Sequence, residues 1–307
     1  MQTAFYGSSK TAPFFAPSQA LIFQKTLAQA VTCVGVGVHS GLETSLTLYP
    51  ALPGTGYVFV RSDIAAPKNK LKADYQSVVD TRMCTRISNT YGTSVSTIEH
   101  VIAALAGAGI TNSLIEVSGP EVPIMDGSSL VFSEMIKEAG TKVQNSSLPT
   151  LKILRPIRVE QGNASAEFLP GLGRTISMQF VDYGRLGTLT DETVFSFDLD
   201  TDDFSELLSD ARTFGFFEDA EKLWAAGLAK GASLENTIVI QNKSIMNEGG
   251  LRSEDEFIRH KVLDAVGDLA LAGVAIQGTF RGINSGHTLN NQLLRAVFET
   301  PDAWCMV

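Results

Sequence analysis

The segment Glu254–Gly273 reads EDEFIRHKVLDAVGDLALAG, and its apolar residues recur with the period of an α-helix. His260, Asp264 and Asp268 follow one another at steps of four residues, which places them along one face of such a helix. Apolar residues on the remaining surface would bury the helix in a core. They are Phe257, Ile258, Val262, Leu263, Val266, Leu269 and Leu271.

The pair His260 and Asp264 has two interpretations. An imidazole and a carboxylate one helical turn apart project the same way, so together they can bind one divalent metal ion. Alternatively, the histidine is an ordinary core residue and the acids are solvated. For an isolated pair the second interpretation is the more common one, so the choice depends on the rest of the chain.

The composition of the chain is that of a globular protein. Its 307 residues suffice for roughly two domains with their own cores. Hydrophobic residues make up 44% and charged residues 19% of the sequence, which excludes a disordered chain. The net charge of −9 argues against non-specific nucleic-acid binding, because such binding requires a basic face.

Cysteine usage and hydropathy indicate a cytoplasmic protein without a transmembrane segment. Cys33, Cys84 and Cys305 are widely spaced and form no CxxC pair, which favours a reducing compartment. No apolar run reaches the length of about eighteen residues that a membrane helix needs. Residues 1–24 faintly resemble a transit peptide but lack arginine, so we expect a flexible, peripheral extension.

Two segments of the first half have clear local patterns. VTCVGVGVHSGLETSLTLYP (Val31–Pro50) predicts a β-hairpin, in which we expect His39 to be structural. A strand rather than a helix follows the hairpin's glycines, which argues against a dinucleotide-binding fold. SVSTIEHVIAALAGA (Ser94–Ala108) predicts a helix with Ser96 as N-cap and Glu99 as its capping-box partner.

The polar, turn-rich segment Thr141–Pro149 predicts a domain boundary. Strands and helices mix on both sides of it without strict βαβ alternation, so we predict an α+β fold. The expected domains are residues 25–147 and 148–307. In the second, we expect a loop, Asn284–Gly286, to carry His287, and a last helix over Asn290–Phe298.

The histidines and acids suggest a metal site. Catalytic zinc sites commonly use three nitrogen and oxygen ligands and leave a fourth position for water. His100, His260 and Asp264 would form such a set, with Glu99 as a base and His287 as an acid or oxyanion partner. The zinc-protease motif HExxH is absent. Spacing therefore permits a metal hydrolase, but it leaves the structural interpretation open.

Five motifs carry a resemblance to a known family. In chain order they are STIEHVIAALAGAGITN, EVPIMDGSS, ARTFGFFEDAEKLWAAGLAKGAS, EDEFIRHKVLDAVGDLALAG and SGHTLNNQLLRAV. The sequence closely resembles the UDP-3-O-acyl-N-acetylglucosamine deacetylases, which act at the committed step of lipid A synthesis. The resemblance extends from about Lys25 to Trp304. It implies two domains, each a layered sandwich of sheet and helices, with the active site between them.

The resemblance implies a zinc-dependent amide hydrolase. His100, His260 and Asp264 would bind one Zn²⁺, although a site of nitrogen and oxygen ligands also accepts iron. Glu99 would be the general base for the zinc-bound water. This water would attack the N-acetyl carbonyl of a UDP-linked, 3-O-(3-hydroxyacyl)-N-acetylglucosamine and release acetate.

Other residues of the motifs would bind the substrate or the reaction intermediate. The Thr213 hydroxyl would hold the oxyanion, and His287, kept charged by Asp268, would stabilise it and assist departure of the amine. Lys261 would supply positive charge to the substrate, and Phe214 would pack on the sugar ring. Taken without the resemblance, these residues could equally be a solvated acid, a turn, a surface lysine and a core aromatic.

The segment from about residue 215 to residue 242 matches an insert of the family that forms an apolar passage for the fatty acyl chain. The candidate lining residues are Leu223, Trp224, Ala229, Ala232 and Ser233. No obligate protein partner is evident, and we favour a monomer.

Two alternative functions are weighed against this one. A non-catalytic relative with a structural zinc would close the fourth ligand position and would not need Glu99 or His287. A zinc amidase acting on peptidoglycan or another acyl amide would lack a passage for a long chain. Neither alternative explains five ordered motifs.

Overall fold

The computed structural model describes residues 22–187, 189 and 193–307, and the observed mixture of helices and sheets confirms the α+β class. The helices are α1 (Glu99–Gly107), α2 (Leu130–Ala139), α3 (Phe204–Leu207), α4 (Ala220–Ala225), α5 (Glu256–Ala270) and α6 (His287–Glu299). The strands are β1 (Phe23–Leu27), β2 (Val31–Val36), β3 (Glu43–Pro50), β4 (Tyr57–Arg61), β5 (Lys70–Lys72), β6 (Val78–Asp80), β7 (Arg86–Ser88), β8 (Ser94–Val95), β9 (Ser113–Val117), β10 (Thr141–Ser147), β11 (Thr150–Ile153), β12 (Ile157–Gln161), β13 (Ala164–Leu169), β14 (Arg174–Phe180), β15 (Thr193–Asp198), β16 (Phe214–Phe216), β17 (Ile238–Gln241), β18 (Ser244–Ile245), β19 (Ala275–Ile283) and β20 (Trp304–Met306).

A five-stranded sheet in the order β2-β3-β9-β4-β5 is the main sheet of the first half of the chain, beside a small sheet β6-β7-β8. Its first two strands are the predicted hairpin, with Val31 opposite Leu48 and Val36 opposite Glu43. Alternate residues of β3, β4 and β9 are buried, as expected for a sheet with one face against a core. Helix α1 and part of α2 supply the other side of that core.

A seven-stranded sheet forms the second half, with the path β12-β13-β19-β11-β20 and with β14 and β15 added beside β19. Strand β19 is long enough to pair with β11 near Ala275 and, further along, with both β13 and β14 over Thr279–Ile283. Helices α5 and α6 contact this half. A small sheet, β16-β17-β18, lies beside α4 and has its own apolar cluster around Leu186 and Ile238.

The two halves share one continuous core, and α1 and α5 cross inside it. Gly267 of α5 lies at the crossing, where a Cβ atom would stand 2.2 Å from the Glu99 carbonyl oxygen and 3.0 Å from its carbonyl carbon. Both distances are far below van der Waals contact, and both atoms belong to backbone that cannot turn aside. Glycine therefore allows the backbones of the two helices to approach at the point where α1 begins.

Two local predictions are wrong. Helix α1 begins at Glu99 rather than near Ser96, its N-cap is Ile98, and no side chain caps it. The Glu99 carboxylate accepts a hydrogen bond from Thr85 instead, so a tertiary contact takes the place of the capping box. The segment predicted as a turn-rich boundary contains strand β10, which pairs antiparallel with β1.

The predicted hairpin and the two predicted helices of the second half agree with the structure apart from their ends. Helix α5 occupies Glu256–Ala270 within the predicted Glu254–Gly273. His287 is the first residue of α6 rather than part of the loop before it. The predicted extension, residues 1–24, lies outside the described residues except for its last three, of which Phe23 and Gln24 belong to β1. The domain bounds themselves stay a prediction.

None of the helices in the described ranges is long and apolar enough to cross a membrane.

We expect Gly267→Ala to destabilise the fold by about 1–3 kcal/mol, because the new methyl group must push α1 away from α5. The loss should exceed the gain that alanine normally brings to a helix interior, about 1 kcal/mol. The measurement is the free energy of unfolding in urea. Gly215→Ala is the control, since a Cβ atom there meets nothing within 4 Å. Unchanged or increased stability of the Gly267 variant would contradict this account of the crossing.

Candidate metal centre and active site

Helices α1 and α5 bring the three predicted metal ligands together. His100 lies in the first turn of α1, and His260 and Asp264 lie one turn apart on α5. One ligand atom from each residue falls within 4.8 Å of the others. The Asp264 Oδ1 atom is 3.6 Å from His100 Nε2 and 3.5 Å from His260 Nε2. The two imidazole rings are nearly perpendicular, with centroids 5.0 Å apart.

The chemistry of these three groups fits a divalent cation. Asp264 Oδ1 is buried and has no hydrogen-bond partner among the described residues, an arrangement that is costly unless an ion completes it. His260 Nδ1 donates to the Ala211 carbonyl at 3.0 Å, which leaves the lone pair on Nε2, the atom that faces Asp264. Two nitrogens and one oxygen are a common ligand set for catalytic zinc.

His100 is held in its neutral form. Burial lowers its pKa well below the ordinary value, and the neighbouring His260 and His287 lower it further. Only a neutral imidazole has the free lone pair that a metal ligand requires. The environment of His100 therefore favours the protonation state that binds metal.

Glu99 lies buried beside this cluster. One carboxylate oxygen accepts a hydrogen bond from the backbone N–H of Thr85 at 2.9 Å, and the other lies 3.8 Å from His287 Nε2. Burial raises the pKa of Glu99 to about 8, and the charges of Asp264 and Asp268 add to the rise while His287 opposes it. Glu99 can therefore exchange a proton near neutral pH.

His287 and Asp268 form a tight pair. His287 Nδ1 lies 2.8 Å from Asp268 Oδ2. Burial on its own would lower the pKa of His287, but the Asp268 charge and hydrogen bond, helped by Glu99 and Asp264, raise it to about 10. Burial on its own would raise the pKa of Asp268, but His287 and further hydrogen bonds hold it below the usual value.

Two residues that complete this pair were missed by sequence reasoning. The Thr85 hydroxyl donates to Asp268 Oδ1 at 2.6 Å, and the Asn290 amide donates to Asp268 Oδ2 at 2.9 Å. Asn290 stands three residues after His287 on α6, so helical spacing could have suggested it. No local signal points to Thr85, which is 183 residues away from its partner Asp268 in the chain.

A mainly apolar cavity of about 360 Å³ opens beside Glu99 and His100. All the residues predicted to contact the sugar ring or the acyl chain line it, together with Thr213. They are Phe214, Leu223, Trp224, Ala229, Ala232 and Ser233. The Phe214 ring is 4.8 Å from the ring centroid of Phe257 and 6.3 Å from that of His260, so it joins the cavity wall to α5.

Lys261 does not line this cavity. Its Nζ atom lies 5.7 Å from the ring centroid of Phe180, a distance at which a cation is attracted to the ring face. Burial lowers the pKa of the Lys261 ammonium, and the Asp264 carboxylate opposes that shift.

His39, which we expected to be only structural, also lines the cavity. Its Nδ1 atom accepts a hydrogen bond from the Ala229 N–H at 3.3 Å, which ties the hairpin to the cavity wall. The buried Glu121 carboxylate accepts from the backbone N–H groups of His39 and Ser40 and from the Thr97 hydroxyl. Sequence reasoning missed Glu121 as the residue that fixes this loop.

The fold and the site define a class: an α+β protein with a buried cluster of two histidines and one aspartate that could hold a metal ion, beside an apolar cavity. The family model described as UDP-3-O-acyl N-acetylglycosamine deacetylase matches residues 24–299. The chain belongs to this family.

Individual relatives are similar to this chain over nearly its full length. It is 45% identical to the UDP-3-O-acyl-N-acetylglucosamine deacetylases of Vibrio vulnificus (strain YJ016) and Haemophilus influenzae (strain 86-028NP), over 92% of each chain. It is also 45% identical to the protein of the same name from Shewanella oneidensis, over 94% of this chain and 93% of the relative.

We expect Asp268→Asn to lower the pKa of His287 by about one to three pH units, because the nearby opposite charge is lost while burial remains. The measurement is the NMR titration of the His287 ring in the metal-free protein. A pKa of His287 that stays near 10 in the variant would contradict the assignment of Asp268 as its main charge partner.

The same pair gives a pH dependence of stability. A histidine with a raised pKa contributes stability that is fully present below about pH 6.5, the unfolded value, and is lost as the pH rises through about 10. The Asp268→Asn variant should therefore be less stable than the wild type at pH 7, and the difference between their unfolding free energies should become smaller as the pH rises from 7 to 10.

Proposed function

We propose that this protein hydrolyses the N-acetyl amide of a UDP-linked, 3-O-(3-hydroxyacyl)-N-acetylglucosamine, in the committed step of lipid A biosynthesis. One observation carries the proposal: the cluster of His100, His260 and Asp264, with Glu99 beside it, adjoins a mainly apolar cavity of about 360 Å³. The family relationship gives the substrate class, and the cavity is suited to a fatty acyl chain. Free Cys33, Cys84 and Cys305 support a cytoplasmic location.

We propose zinc as the resident metal, bound by His100, His260 and Asp264. When bound, it supplies a Lewis acid that makes water acidic enough to serve as a nucleophile near neutral pH. Iron is the alternative, because nitrogen and oxygen ligands of this kind do not select one metal.

Glu99 is the proposed general base. Its Oε2 atom is held by the Thr85 N–H, so the carboxylate cannot rotate freely, and its Oε1 atom faces the site. Burial raises the pKa of Glu99 from its ordinary value toward neutral pH, which makes the carboxylate a stronger base than an exposed one. Glu99 would take a proton from the attacking water.

His287 and Thr213 are the proposed partners of the negative charge that develops on the amide oxygen. The raised pKa of His287 keeps its imidazole protonated at neutral pH, so its Nε2–H can donate to that oxygen. The Thr213 side chain at the cavity wall offers a second donor. His287 would then assist departure of the amine, with Asp268 holding the ring in orientation.

The remaining contacts place the substrate. The acyl chain would occupy the apolar cavity, whose depth fixes the length that fits. Phe214 would pack on the sugar ring, and Lys261, already partly desolvated, would face the anionic part of the substrate. These contacts hold the amide still while Glu99 and His287 act on it.

The first test is acetate release from UDP-3-O-[(R)-3-hydroxyacyl]-N-acetylglucosamine. We expect activity in the purified protein, loss of it after chelation, and recovery after one equivalent of zinc. We expect recovery because all three proposed ligands belong to this chain. Absence of acetate release from the zinc-loaded protein would rule out this substrate.

A second test addresses the base. Glu99→Ala should retain stoichiometric zinc, since Glu99 is not among the proposed ligands, but should lose activity by about 10²–10⁴-fold. Metal content and kcat are measured on the same preparation. Glu138→Ala, which changes an exposed glutamate of helix α2, is the control for the substitution itself. Wild-type kcat in the Glu99 variant would exclude Glu99 as the base.

A further inference from the structure

Glu256, the first residue of α5, forms a buried ion pair that the proposed mechanism does not use. Its side chain is fully buried, and only 9% of Arg212 is exposed. Arg212 Nε and Nη2 donate to the two carboxylate oxygens of Glu256 at 2.8 and 3.1 Å. The backbone N–H of Arg252 donates to the same carboxylate at 2.6 Å. The carboxylate therefore has a fixed position and orientation.

One further hydrogen bond connects this carboxylate to the metal centre. Glu256 Oε1 accepts from the backbone N–H of Arg212 at 3.0 Å. That N–H belongs to the same peptide unit as the Ala211 carbonyl, which accepts from His260 Nδ1 at 3.0 Å. The planar peptide thus joins the carboxylate on one side to the imidazole on the other.

These two hydrogen bonds transmit an effect in one direction, from the Glu256 carboxylate through the peptide unit to the His260 ring. A carboxylate that accepts a hydrogen bond from a peptide N–H polarises that peptide unit. The carbonyl of the same unit then becomes a stronger acceptor for the imidazole Nδ1–H. A stronger acceptor at Nδ1 fixes the tautomer, orients the ring and raises the basicity of Nε2 as a ligand atom. Glu256 and His260 are also one turn apart on α5, so the helix keeps these two residues at a constant separation.

We propose that Glu256 is a positioning residue of the metal centre, acting on His260 through the Ala211–Arg212 peptide, with the Arg212 side chain holding the carboxylate in place. The inference rests on the proposed role of His260 as a metal ligand. It assigns to the ion pair a function in metal affinity in addition to its part in the fold.

The test compares zinc affinity in two variants that each break a buried glutamate–arginine contact. Glu256→Gln removes the negative charge from the residue whose hydrogen bonds lead, through the Ala211–Arg212 peptide, to His260. Glu167→Gln is the matched control, because Glu167 is buried on β13 and pairs with Arg158 and Arg281, away from the metal cluster. The zinc dissociation constant is measured by competition with a chromophoric chelator, with the unfolding free energy measured in parallel.

We expect Glu256→Gln to weaken zinc binding by about 10- to 100-fold and Glu167→Gln to leave it unchanged. In the metal-free protein, the NMR signal of the His260 Nδ1–H should be lost or shifted only in the Glu256 variant. A zinc affinity of the Glu256 variant equal to that of the wild type, with an unchanged His260 signal, would overturn the proposal. A purely structural ion pair predicts loss of stability alone.

A second variant covers the case in which Glu256→Gln fails to fold. Replacing both partners, Arg212→Met with Glu256→Gln, removes the unpaired buried charge and is better tolerated than breaking the pair. The double variant should still bind zinc about 10- to 100-fold more weakly than the wild type, because the peptide still lacks its carboxylate. Wild-type affinity would reject the proposal. Zinc binding needs no substrate, so absence of deacetylation would refute the proposed function without affecting this comparison.

Discussion

The crossing of α1 and α5 is the contact on which the rest of the site depends. Each helix carries only part of the metal cluster, so the ligand geometry is set by how closely the helices approach. Gly267 permits that approach, because the Glu99 carbonyl occupies the space that a side chain would fill. Asp264 and Asp268 stand on either side of this glycine. The same close contact therefore places His100 3.6 Å from Asp264 and brings Glu99 within electrostatic range of both acids of α5.

The site concentrates negative charge in the core, and its hydrogen bonds show how the fold tolerates this. Asp268 receives three hydrogen bonds, one from His287 and one each from the neutral groups of Thr85 and Asn290. Glu99 receives one backbone N–H and keeps a raised pKa, while Asp264 keeps an oxygen without a partner among the described residues. Asp268, which has the most donors, stays ionised, Glu99 takes up a proton more readily, and Asp264 has an oxygen available for a cation.

The sequence predicted the parts of the site that lie on one helix better than the parts that depend on two distant segments. Helical spacing gives His260, Asp264 and Asp268 directly, because a period of 3.6 residues is a local property. Thr85 was not predictable in this way, since its two contacts to the site, with Glu99 and Asp268, arise from packing. The capping box failed for the same reason: Ser96 and Glu99 have the right spacing, but a tertiary hydrogen bond from Thr85 competes for the carboxylate.

The segment from Ala211 to Phe214 links the metal cluster to the cavity. Its first carbonyl orients His260, and its last residue begins β16 and lies against Phe257 and His260 at the cavity wall. Between them, the Thr213 backbone bonds to Gly127 and Ile238, which leaves the segment little freedom to shift at one end alone. A change in the cavity wall at Phe214 would therefore act directly on its neighbour His260, and the proposed acyl-chain contacts and the proposed metal ligand depend on the same four residues.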